Sequence, residues 1–480
     1  MTFTSINFAV FLPVVFLLYW FVCRKTPRSQ NVLLLAASYL FYGWWDWRFL
    51  SLIIFSSLVD FLIGLALEKE KSPCSGKILL GMSLVVNLGL LGFFKYFNFF
   101  LDSLYDVIPG LQAILGFNTL NIILPVGISF YTFQTLSYTI DVYKKRINAT
   151  NDYISFATFV GFFPQLVAGP IERATNLLPQ FQRLRIFSYK EAVEGLRQIL
   201  WGLFKKMVIA DNCAVFANLI FDNPGSFSGS TLLLGAVFFS FQIYGDFSGY
   251  SDIAIGTSKL FGINLMQNFS YPYFSRDFAE FWRRWHISLS TWFRDYLYIP
   301  LGGSRGSKLE TVRNILLIFL ISGLWHGANW TFLAWGGLNA FFFFPLLLKN
   351  LNRKNLKIVA HNRSLPTLQE FFSMVATFFM ITLTWCFFRA EDLPHGIQFI
   401  SKIFSASFFT FPDFPGKKDA LITAFLIVLL VIIEWVGRKK KFPLEDLNIA
   451  RPVRHLVYYS LILAIIVFSA PKQEFIYFQF

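Results

Sequence analysis

Apolar runs of membrane-span length alternate with short basic or glycine- and proline-bearing connectors along the whole chain. A helix crossing a bilayer core needs roughly 20 apolar residues, fewer where it is buried or re-entrant. Residues 8–22, 31–43, 49–67, 78–100, 120–140, 195–220, 231–255, 314–330, 331–348, 370–389, 420–436 and 454–470 fit that pattern and predict about twelve spans. Residues 153–169 are apolar but carry Gly161 and Pro164, which predicts a broken or re-entrant segment shielded by protein or beside water. Residues 276–300 mix Trp, Phe and Tyr with Arg, as interfacial helices do. The expected fold class is therefore an all-α polytopic membrane protein. Polar connectors at 352–364 and 437–454 are too short to be soluble domains, so residues 1–480 read as one integral-membrane domain.

Composition strengthens that picture. Of 480 residues, 55% are apolar and 15% charged, and mean hydropathy is +0.54. A soluble chain of this length could not hide so much apolar surface, which excludes soluble enzymes, disordered chains and coiled coils. Charge placement predicts orientation. With alternate loops assigned to the inner side, 35 of the 42 Lys and Arg fall inside and 5 outside, a strong positive-inside bias. Both termini are then expected outside. Residues 8–22 have no preceding basic residue and are followed by Arg24, Lys25 and Arg28, the reverse of a signal peptide. The net charge of +14 is accounted for mostly by this topology and does not point to nucleic acid. Cys23, Cys74, Cys213 and Cys386 form no C-x-x-C pair, so neither a disulfide framework nor a metal site is expected. No internal repeat is visible.

Candidate chemistry narrows to few residues. Among five His, His361, His395 and His455 lie in loops. His326 lies in Ser322-Gly323-Leu324-Trp325-His326-Gly327-Ala328-Asn329-Trp330, 12 residues into the expected span that begins at Asn314. At 1.5 Å per residue it sits ~18 Å from the inner end. A titratable group at that depth is a functional candidate by default. Gly323, Gly327 and Ala328 leave room for a substrate or for a close helix neighbour. A core histidine bonded across helices is the competing reading, and position alone does not choose between them. His286 follows Trp282-Arg283-Arg284-Trp285 and precedes Trp292-Phe293-Arg294-Asp295. Arg283, Arg284 and Arg294 suit phosphate binding; the plainer reading is snorkelling cations beside an aromatic belt. Asp60 and Lys95 fall within spans and are expected to pair with each other or with backbone carbonyls. Asp246 and Asp252 flank a polar break that fits a pore lining, a site wall or a buried network. Two classes follow: an enzyme with a phosphate-bearing donor inside and an acceptor outside, or a transporter with a His proton relay.

These stretches resemble the membrane-bound O-acyltransferase (MBOAT) family, in its alginate O-acetyltransferase-like branch. The likeness runs through Phe41-Tyr42-Gly43-Trp44-Trp45, Leu124-Pro125-Val126-Gly127, Phe163-Pro164-Gln165-Leu166 and Tyr244-Gly245-Asp246-Phe247-Ser248-Gly249-Tyr250, and is strongest over 281–303 and 324–330. The resemblance implies a ring of tilted helices with inner and outer funnels, and a catalytic core at roughly 120–345. It implies a catalytic His326 acting as general base and a functional His286. Arg283, Arg284 and Arg294 would hold the phosphates of a thioester donor, expected to be acetyl-CoA. Trp325, Asn329, Trp285 and Asp295 complete the expected substrate-binding set, with Asn329 a candidate partner of His326. The tail 471–480 ends Phe475-Ile476-Tyr477-Phe478-Gln479-Phe480. It resembles that of a small partner in D-alanylation systems, which makes Tyr477 a candidate acyl carrier; an aromatic interface anchor is the alternative. Expected partners are the bilayer, an extracytoplasmic SGNH-type O-acetyltransferase and, through it, a polysaccharide. The expected location is a bacterial inner membrane. D-alanyl transfer from a carrier protein is the runner-up within the family.

Overall fold

The computed structural model describes all residues except 109, 117, 118, 168, 472 and 477–480. Every regular element among the described residues is helical. Eight helical stretches are long and apolar enough to cross a membrane: Pro27–Lys69, Pro73–Val107, Gly229–Leu260, Lys308–His326, Trp330–Leu348, Leu368–Arg389, Lys417–Gly437 and Arg451–Phe468. The first, 43 residues long, holds two of the expected spans on either side of a 3-10 turn at Trp47–Phe49.

The expected span at 120–140 is not one helix. Residues 119–125 are irregular and only Ile128–Tyr143 is helical. Pro125 and Gly127, the latter at φ +77°, end the extended approach and start the helix, which an apolar tally cannot see. At 195–220 the helix is interrupted by π turns over Phe204–Ala210, which carry the buried Lys205 and Lys206. Residues 153–169 are broken as expected, into Tyr153–Gly161 and Phe163–Leu166.

The chain forms two compact units. One comprises Met1–Gly195 with Ala254–Met266. Two of its buried charges are met by neighbouring polar groups. Asp60 accepts Ser83 Oγ at 2.6 Å and Asn87 Nδ2 at 2.7 Å, and Asn87 in turn accepts from Ser56 and Thr135. Asp60 therefore pairs with a hydroxyl and an amide rather than with Lys95. Arg185, also buried, donates to Tyr19 Oη, Asn31 Oδ1 and the Phe181 carbonyl.

The other unit comprises Leu196–Ile253 with Gln267–Phe480. Capping boxes at Ser307 with Glu310 and at Thr367 with Glu370 start two of its long helices. Lys308–His326 and Trp330–Leu348 cross at backbone contact. A methyl group at Gly323 would stand 2.2 Å from the Phe332 carbonyl oxygen, and one at Gly336 would stand 2.3 Å from that of Phe319. Forcing either in would cost about 1–3 kcal/mol. Gly323 thus serves the close helix neighbour, one of its two expected uses. The short helices Phe278–Arg284 and Ile287–Phe293 complete the frame of the site.

Candidate active site

His326 is the last residue of Lys308–His326. That helix starts six residues before Asn314, and Gly327 leaves it in extended conformation (φ −160°, ψ 152°). The histidine therefore ends its helix, instead of lying within a span that continues to Trp330 as the apolar run suggested. It is 3% exposed, and aromatic rings enclose it. Trp335 lies edge-on at 5.1 Å between centroids, Phe388 at 5.3 Å and Trp325 at 5.0 Å. Asn329 caps the next helix: its side chain accepts from Thr331 N at 3.0 Å and donates to the Glu391 carbonyl at 2.8 Å.

His286 joins the two short helices with left-handed backbone angles, φ 44° and ψ 54°. That conformation is costly for a non-glycine residue and persists only where the surroundings impose it. Asn268 imposes it. The Ile287 N–H donates to the Asn268 carbonyl at 2.9 Å, while the Ser288 N–H and hydroxyl donate to Asn268 Oδ1 at 3.3 and 2.9 Å. His286 Nδ1 lies 3.1 Å from that same Oδ1. A backbone N–H only donates, so this atom is an acceptor and Nδ1 must carry the ring proton. Asn268 Nδ2 is turned to Ser251 Oγ at 3.1 Å. Nε2 is then a bare lone pair, with no hydrogen-bond partner among the described residues. Burial keeps the ring neutral, pushing its pKa down to about 3. The two imidazoles are 6.3 Å apart between centroids, and Trp325 packs on both.

The structure thus brings His286, His326 and Trp325 together. Trp285, next to His286 in the chain, is 1% exposed and packs on Phe281 and Trp385. Trp285 and Trp292 are buried, so this segment is core rather than an aromatic belt with snorkelling cations. The three arginines separate. Arg284 pairs twice with the buried Glu280, which also holds Arg276. Arg283 donates to the carbonyls of Asn352 and Asn355 at 2.7 and 2.8 Å, tying down that connector. Arg294 is exposed, beside Asp295 at 2.7 Å.

Two cavities of about 270 and 340 Å³ share Ser304, Leu347, Asn352 and Arg353. The first is walled by Trp282, Leu289, Phe319 and Ser322, with Arg294 on its rim; the second adds Lys308 and Thr311. Ser322 lies one helical turn before His326 on the same helix. The Trp282 indole N–H is buried here without a hydrogen-bond partner among the described residues. Sequence reasoning missed Asn268, Trp282, Lys308 and Arg353. The two cations were visible only as loop charges. Asn268 gave no signal, because its role exists only through contacts to residues 18 and 20 positions away.

Asp246 and Asp252, whose use was left open, form a buried ion network. Lys206 Nζ bridges Asp246 and Asp211 at 2.8 Å each, and Lys205 Nζ meets Asp252 at 2.6 Å. Tyr477 lies outside the described residues.

An all-helical polytopic protein that buries two histidines beside a cation-rimmed cavity has the parts for membrane-embedded group transfer. The family model of the membrane-bound O-acyltransferases matches residues 144–388, which contain both histidines. The chain is 40% identical over 430 residues to the probable alginate O-acetylase AlgI of Azotobacter vinelandii, covering 89% of this chain and 83% of that one. It is 36% identical over 499 residues to the protein of that name from Pseudomonas putida, covering 98% of each. It is also 36% identical to the peptidoglycan O-acetyltransferase of Helicobacter pylori, over 82% of this chain and 78% of that one. The chain belongs to the membrane-bound O-acyltransferase family and is an O-acyltransferase.

Proposed function

We propose that the protein takes an acetyl group from a cytoplasmic thioester donor, acetyl-CoA, and passes it across a bacterial inner membrane for O-acetylation of an extracytoplasmic polysaccharide. The observation that carries this reading is the pair of buried imidazoles, one locked with its Nε2 lone pair open. Relatives whose names specify alginate and peptidoglycan acetylation support the polymer as final acceptor. The paired cavities support the donor side. Lys308, Arg353 and Arg294 supply positive charge for phosphates, and the wall of Trp282, Leu289 and Phe319 suits the methyl and methylene groups of a pantetheine arm.

In this account His326 removes the acceptor hydroxyl proton as the oxygen attacks the thioester carbonyl. The new C–O bond forms, the C–S bond breaks, and the thiolate leaves and takes up a proton. His286, neutral and fixed by Asn268, presents Nε2 as a second acceptor that orients the incoming hydroxyl. Tyr477 is the first acceptor, and an extracytoplasmic SGNH-type enzyme carries the acetyl group onward. Residues 1–480 act as one membrane domain with both termini outside, and the catalytic core lies at 120–345.

The test is base-labile acetate on the surface polymer of cells lacking this gene, complemented with wild type or His326→Ala at matched membrane levels. Restoration by wild type alone is expected. Equal restoration by both makes His326 a packing residue and overturns the mechanism. Restoration by neither, with D-alanine appearing instead of acetate, moves the reading to D-alanyl transfer from a carrier protein.

A further inference from the structure

The ion network of the second unit has a partner that the chemistry above does not use. Asp246 lies on Gly229–Leu260 and is 2% exposed. Its Oδ1 faces Lys206 Nζ at 2.8 Å. Its Oδ2 accepts the backbone N–H of Ile476 at 2.8 Å, a contact spanning 230 residues. Lys206 reaches the same segment, donating to the Gln473 carbonyl at 3.3 Å. One ammonium therefore serves two buried carboxylates, Asp246 and Asp211. The Ile476 N–H satisfies Asp246 Oδ2, where an unpaired carboxylate oxygen would be costly.

Side chains follow the backbone capture. Ile476 is 1% exposed, and Phe475 packs tilted against Tyr250 at 4.6 Å between centroids. Phe247, next to Asp246 in sequence, packs between the tail and the site, 6.2 Å from Phe475 and 4.6 Å from the His286 ring. We infer that Asp246, oriented by Lys206, is a positioning residue that seats the chain's own C-terminal segment against the wall carrying His286. The inference rests on the acyl-transfer reading only for its use: it explains how the residues directly before Tyr477 come to be held in the unit that houses both histidines. The capture itself reads a backbone amide and two apolar side chains, the chemistry of peptide recognition.

Hydrogen exchange of the C-terminal peptide, in full-length protein reconstituted in lipid nanodiscs, tests the inference without reference to acyl transfer. Amides 473–476 are expected to exchange slowly in wild type and about tenfold or more faster in Asp246→Asn, the scale of one charge-assisted hydrogen bond. Should Asp246→Asn fail to fold, the tail itself is varied. Ile476→Pro deletes the captured N–H and is expected to expose amides 473–475, whereas Ile476→Ala retains the N–H and most of the protection. Unchanged exchange in Asp246→Asn, or equal exposure in the Pro and Ala variants, overturns the latch. If the tail proves seated by Asp246 while Tyr477→Phe supports normal polymer acetylation, the latch stands and the acyl relay falls.

Discussion

Asp60 in the first unit and His286 in the second are both fully buried polar groups in an apolar protein, yet they are finished differently. Asp60 has a donor on each oxygen, and those donors are themselves bonded to Ser56, Thr135 and Thr139. His286 has one nitrogen fixed by Asn268 and the other left open, 6.3 Å between centroids from a second imidazole. A closed network stabilises and specifies a core. An open lone pair held by a strained backbone costs stability and is available for chemistry. Depth in the membrane alone does not separate the two cases, because both groups are buried. The state of the unpaired atom does.

The largest expected effect falls on His326. His326→Ala should lower acyl transfer by about 10²-fold or more, the usual share of a general base, with protein level unchanged. His326→Gln at full activity would break the assignment. His286→Gln keeps the volume but loses the Nε2 acceptor, and should lower kcat by about tenfold or more at nearly unchanged donor KM.

Asn268→Asp sharpens the comparison through pH. In wild type the His286 pKa is depressed to about 3 from an ordinary 6.5, so Nε2 stays deprotonated throughout the range from pH 5 to 8. A carboxylate on Nδ1 favours imidazolium and raises that pKa, so the variant's rate should fall more steeply on acidification than that of wild type. The sign for stability follows from the same depression. The contribution of the neutral ring is complete above pH 6.5 and is lost as pH falls from there toward 3. Thermal unfolding across that window should show the loss in wild type and less of it in Asn268→Asp.

Smaller effects separate the arginines. Arg294→Gln, at the cavity rim, should raise donor KM by a few-fold with kcat intact, because an exposed phosphate contact is worth roughly 1 kcal/mol. Arg284→Gln should leave the kinetics of folded enzyme unchanged and lower its yield, because it leaves Glu280 with only Arg276 in a buried site. The smallest effect on turnover belongs to Asp60→Asn. It should lower thermal stability by about 1–3 kcal/mol while activity per folded molecule holds. A loss of turnover there would erase the distinction between the two regions.

Much of this was legible before the fold was known. The apolar tally placed nine of the twelve expected spans on the long apolar helices among the described residues, because a span is a local property of composition. It failed at 120–140, where Leu124-Pro125-Val126-Gly127 is apolar by tally but helix-breaking by backbone. It also carried the span past His326 to Trp330, whereas Gly327 ends the helix. Both histidines were found through their motifs, and the structure brings them together with Trp325. The roles of Arg283, Arg284 and Asn329 were not legible, because each is engaged by a carbonyl, carboxylate or helix start that only the fold brings near. Asn268 was invisible for the same reason.

The most direct test of the central claim is thiol release from acetyl-CoA by purified protein in nanodiscs, comparing wild type, His326→Ala and Asp60→Asn at equal folded fraction. The account predicts thiol release by wild type and by Asp60→Asn up to about one equivalent per chain, because Tyr477 is unloaded only by the outer enzyme, and a rate lower by about 10²-fold or more in His326→Ala. Equal rates of release by His326→Ala and wild type would contradict it.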